Sequence, residues 1–102
     1  MGDNSAYTHM EASVIAAYNG GLRGEQLAPF LDPYRGSDID SGGRCALETT
    51  DGKNIDEVLL EAFGTPEQLA LYKRYVAEGN DDLEDQVFDA ISNITHSRFG
   101  WE

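Results

Sequence analysis

Cysteine occurs once in the 102 residues, at Cys45, which excludes an internal disulfide and any site built from several thiolates. A reducing, cytoplasmic setting is the expectation. Basic residues are also few: 7 Lys and Arg stand against 19 Asp and Glu, a formal charge of −12. A field of that sign repels nucleic acid and anionic membrane and attracts basic protein surfaces. No window approaches the ~18 apolar residues of a membrane span, and no basic region followed by an apolar run marks a leader. No Gly-rich phosphate loop followed by Lys and Ser or Thr occurs, and no carboxylate pair stands apart from the many others.

The chain does have a segment that specifies one buried helix, DGKNIDEVLLEAFG from Asp51 to Gly64. Asn54 is placed as N-cap, with Glu57 three residues on in a capping-box position. Ile55, Val58, Leu59, Ala62 and Phe63 form an apolar stripe, and Asp56, Glu57 and Glu61 fall outside it. Gly64 is expected to stop the helix in the left-handed conformation, while Thr65 and Pro66 open the next.

Before this segment, Tyr7, Met10, Val14, Ala17 and Tyr18 trace a helical face that Gly20-Gly21 ends, with Ser5 placed to cap it and Met1 to Asn4 loose. Glu25 to Leu31 reads as a short helix with Leu27, Phe30 and Leu31 inward, stopped by Pro33. After it, Pro66 to Glu78 puts Leu69, Tyr72 and Val76 on one face and Leu71 and Tyr75 on a neighbouring one. That helix is either central or part of a contact surface. Asn80 or Asp81 caps a last and longest helix whose Leu83, Val87, Ile91 and Ile94 run inward; Phe99 and Trp101 are expected to dock over the core. With 40% apolar residues the chain can bury a core of its own. The expected fold is mostly α, a single small domain over residues 1–102 of four to five helices, with at most a short β-ribbon between Ser37 and Thr50. An α+β arrangement is the alternative.

Candidate chemistry is sparse. Asp38, Asp40 and Gly43 match the first, third and sixth places of an EF-hand loop, but Gly42 holds the fifth and Thr49 the twelfth, so a solvated turn is the better reading. Cys45 would need a base, and the two histidines, His9 and His96, lie near opposite ends of the sequence. Alternation with polar neighbours makes Cys45 a packing residue in a short strand. No metal, cofactor or catalytic residue is expected, and the chain does not read as an enzyme.

The remaining signal is charge. Between Tyr75 and Thr95 stand Glu78, Asp81, Asp82, Glu84, Asp85 and Asp89, with no Lys or Arg. On a helix Asp82, Asp85 and Asp89 share a side at rises of about 4.5 and 6 Å. Carboxylates at a helix start also favour the macrodipole, which accounts for Asp81 to Glu84 without any partner. NDDLEDQVFDAI resembles the acidic amphipathic helices of small phage proteins that mimic nucleic acid, of anti-restriction or anti-CRISPR type. That resemblance implies a non-enzymatic, stoichiometric inhibitor of a basic, nucleic-acid-binding groove. Its expected contact residues are Asp81, Asp82, Glu84, Asp85 and Asp89, extended by Asp56, Glu57 and Glu61 or by Asp38 and Asp40. The alternative is a structural or regulatory interaction protein, with a homodimer as one form, using Leu71, Tyr75, Phe99 and Trp101.

Overall fold

The computed structural model describes residues 4–36 and 47–101, with side chains from Tyr7 onward. Its helices are α1 (Asn4–Asn19), α2 (Ile55–Phe63), α3 (Pro66–Glu78) and α4 (Asp81–Asn93), with 3₁₀ segments at Gly24–Phe30 and Asp32–Tyr34. A single π turn, Ile94–Arg98, continues α4. The architecture is mostly helical. Between Leu47 and Asn54 the only pairing among the described residues is an isolated antiparallel bridge, Glu48 to Asn54. The expected strand at Cys45 and the loop with Asp38 and Asp40 lie outside the described residues.

α2 occupies the centre, touching α1, the first 3₁₀ segment, α3 and α4. Ile55, Val58, Leu59 and Leu60 are all buried, joined in one cluster by Met10, Val14, Leu27, Leu31, Tyr72, Val87 and Ile91. A helix enclosed on several sides cannot keep an apolar stripe of ordinary width. Asp56, expected on the solvent side, is accordingly 8% exposed.

Helix ends follow local chemistry. α1 closes in a Schellman motif, in which Leu22 N–H reaches Ala17 C=O and Gly21 N–H reaches Tyr18 C=O, with Gly21 at φ +103°. The Asn54 side chain accepts from Glu57 N–H at 3.0 Å, but the reciprocal capping box forms at α3 instead, where Thr65 and Gln68 exchange bonds of 3.1 and 2.9 Å. Gly79 ends α3 in the left-handed region at φ +63°.

Gly64 does not adopt the left-handed conformation: its φ is −86° and ψ −179°, extended backbone open to any residue. Space is what requires glycine there, since a Cβ would stand 2.7 Å from Leu60 C=O and 3.0 Å from Gln68 Oε1. Gly64→Ala is therefore expected to destabilise by about 1–3 kcal/mol, as overpacking does. Gly20→Ala, whose Cβ meets nothing nearer than 3.4 Å, should be neutral or gain up to about 1 kcal/mol through the unfolded chain. Denaturant midpoints at unchanged slope measure both, and a Gly64→Ala chain as stable as the parent would refute the steric account.

Candidate acidic interface and adjoining cleft

α4 is oriented by its apolar row. Leu83, Val87, Ala90 and Ile91 are buried against the rest of the molecule, which turns Asp81, Asp82, Asp85 and Asp89 to solvent. The Asn80 side chain caps the helix by accepting from Asp82 N–H at 2.9 Å. Glu84 stands apart from the exposed row. It is half-buried and accepts from the Tyr75 hydroxyl at 3.4 Å. Desolvation first, and the Glu84 carboxylate second, push the Tyr75 phenol above its ordinary value, so it stays protonated and donates.

The positive charges lie elsewhere. Arg35 pairs with Asp32 at 3.2 Å, Arg74 with Glu78 at 3.1 Å and Arg98 with Glu25. Arg23 stacks on the Tyr18 ring, 3.5 Å from its centre, and donates to the carbonyls of Tyr18 and Leu22. Lys53 is the hub of a polar clamp. Its ammonium donates to Glu61 at 2.6 Å and to the Tyr18 hydroxyl at 2.8 Å, with Asp51 at 3.8 Å. Tyr18 in turn donates to Asp51 at 3.3 Å, and Asp51 also accepts from the Thr49 hydroxyl.

The Glu61 hydrogen bond, followed by that to Tyr18, holds the Lys53 ammonium above its ordinary value. The Thr49 hydroxyl, with the charge of Lys53, holds Asp51 below its own, against an opposing desolvation. A lysine kept protonated is neither a base nor a nucleophile at neutral pH. The arrangement is a staple joining the 47–54 loop to α1 and α2, reinforced by Leu47 N–H to Glu11 at 3.2 Å and Thr50 N–H to Asn19 at 2.9 Å.

The expected contact residues thus fall into separate groups. Asp81, Asp82, Asp85 and Asp89 form one exposed row with no ion pair among the described residues, while Glu84 and Glu57 are half-buried. Glu61 is engaged by Lys53, and Asp56 is buried, so neither extends a free acidic surface. Asp38 and Asp40 are outside the described residues. Phe99 and Trp101, named for an apolar interface, are 1% and 3% exposed and belong to the core, whereas Leu71 and Tyr75 are half-buried against it. His9 is exposed, and the His96 ring bonds the Trp101 carbonyl. Cys45 lies outside the described residues.

Sequence reading missed a cleft of about 330 Å³ where the 47–54 loop and the start of α2 face the second half of α3. Glu48, Asn54, Glu57, Tyr72, Lys73 and Val76 line it. The Asn54 amide donates to the Tyr72 hydroxyl at 2.8 Å and so bridges the two walls. Val76, which shares an apolar face with buried Tyr72, is 62% exposed here. Buried Glu11 was also missed, although its place between Tyr7, Met10 and Val14 in the α1 stripe is a signal.

Among the described residues, no group of three His, Cys, Asp or Glu side chains is placed to hold a metal ion, and no helix is long and apolar enough to cross a membrane. No family model, no curated protein and no solved structure matches this chain, so its function is argued from the residues themselves.

Proposed function

We propose that this chain is a non-catalytic acidic binding protein that occupies a basic, nucleic-acid-binding surface of a partner as a stoichiometric inhibitor. The observation carrying this reading is the exposed row Asp81, Asp82, Asp85 and Asp89 on a helix without Lys or Arg, in a chain of net charge −12. Among the described residues, intramolecular pairing takes up Asp32, Glu25, Glu61 and Glu78 and leaves this row uncompensated. The resemblance to phage inhibitors that mimic nucleic acid is one of type and supports the same direction. The apolar-interface alternative loses Phe99 and Trp101 to the core, and with them most of its aromatic surface.

Changing Asp82, Asp85 and Asp89 together to Asn deletes three charges at nearly constant shape. Binding to the partner captured from the source cell should then weaken chiefly through slower association, and the parent's affinity should fall as salt rises. The parent should also exclude DNA or RNA from the captured partner. A triple variant that associates at the parental rate and salt dependence, on a partner that still holds nucleic acid, would overturn the proposal. The fold should survive, because these side chains are exposed and the Asn80 cap is untouched.

A further inference from the structure

The cleft between the 47–54 loop and α3 combines features that an exposed acidic row does not. One wall carries two carboxylates, exposed Glu48 and half-buried Glu57, neither of which has an ion-pair partner among the described residues. The α3 wall carries Tyr72, Lys73 and the 62% exposed Val76. The bond from Asn54 to the Tyr72 hydroxyl fixes these walls against each other. A pocket of this size with apolar surface and a few convergent polar groups is the usual form of a binding site.

We infer that this cleft receives an arginine side chain presented by a partner protein. The methylene stem would lie against Val76 and the Tyr72 ring, and the guanidinium would meet Glu48 and Glu57. Charge complementarity selects the occupant. Two unpaired carboxylates beside an apolar wall suit a long cationic side chain, and arginine supplies a planar donor fork that pairs with carboxylates and stacks on aromatic rings. Lys73 opposes a cation and so gives the inference a sign. Removing its charge should strengthen a cationic ligand and weaken an anionic or zwitterionic one. The inference rests on the acidic-binding reading and deepens it, adding a specific anchor to a steering surface.

The probe is the peptide acetyl-Gly-Arg-Gly-amide, titrated into the full chain while backbone amide resonances are followed, with the uncharged citrulline analogue as control. Saturable shifts are expected around Asn54 to Glu57 and Tyr72 to Val76 with arginine and not with citrulline. Glu48→Gln and Glu57→Gln should each raise Kd about two- to fivefold, the range of exposed ion pairs, and Lys73→Gln should lower it by a similar factor. Equal shifts with citrulline, shifts confined to α4, or a Lys73→Gln chain that binds more weakly would each overturn the inference. A silent cleft in a chain whose partner capture remains sensitive to salt and to the α4 substitutions overturns the cleft and leaves the acidic face standing. A saturable, arginine-specific cleft in a chain whose capture ignores those substitutions supports the cleft and overturns only the α4 face.

Discussion

Phe99→Ala should lower stability by about 3–5 kcal/mol, the range for truncating a buried aromatic. Phe99 is 1% exposed, and its ring meets that of Phe63 edge-to-face at 5.0 Å. The Arg98 guanidinium lies over both rings and is itself held by Glu25, so the truncation opens a cavity under a charged cover. Four further contacts hold the segment in place. Gly36 N–H donates to Gly100 C=O at 2.8 Å, Trp101 N–H to Thr95 C=O at 3.1 Å, Arg35 to Arg98 C=O at 3.2 Å, and the His96 ring bonds the Trp101 carbonyl. These contacts limit collapse into the vacated space, which places the cost toward the upper end.

Small domains have only about 5–15 kcal/mol in total, so the variant should melt far below the parent. Trp101→Phe is the informative companion. The buried Trp101 Nε1–H meets no acceptor among the described residues, and an orphaned donor costs about 1–3 kcal/mol. Removing it offsets part of the lost apolar area, so this change should cost much less than Phe99→Ala. Denaturant melts decide both, and a Phe99→Ala loss below about 1 kcal/mol would show that the segment is not part of the cooperative core.

What could be read in advance was local. Asn54, Thr65, Pro66 and Asn80 mark helix starts through chemistry confined to a few neighbouring residues, and Gly21 and Gly79 mark ends in the same way. The row Leu83, Val87, Ile91 placed α4, and with it the outward direction of Asp81, Asp82, Asp85 and Asp89. Where tertiary surroundings decide, periodicity falls short. Asp56 is buried because α2 is enclosed, and of the two roles open to α3 the exposed Val76 at the cleft fits a contact surface. Residue type alone marks Gly64 as a left-handed cap, yet its requirement is the close approach of its extended backbone to the Leu60 carbonyl and to Gln68, a local geometry that residue type does not reveal. The Lys53 clamp joins Tyr18 to Asp51 and Glu61 across more than thirty residues of chain, a separation no helical spacing rule reaches.

Leu59→Ala tests the centre of the fold, and a loss of about 2–5 kcal/mol is expected for a buried leucine. Leu59 is 2% exposed on a helix that contacts α1, the first 3₁₀ segment, α3 and α4, so the vacated volume is walled by several elements. α2 itself is held in place, its start capped by the Asn54 side chain and its Glu61 bound by Lys53. Cavity costs grow with the volume that remains after relaxation, which argues for the middle of the range or above. Val76→Ala removes a branched side chain of the same apolar class from a 62% exposed position and should change stability by less than about 0.5 kcal/mol. The pair separates the two roles of apolar residues here. Leu59 should move the unfolding midpoint, whereas Val76 should leave it in place and weaken arginine-peptide binding in the cleft. A Leu59→Ala chain within about half a kcal/mol of the parent would remove α2 from the core and, with it, the frame that orients both the cleft and the acidic row.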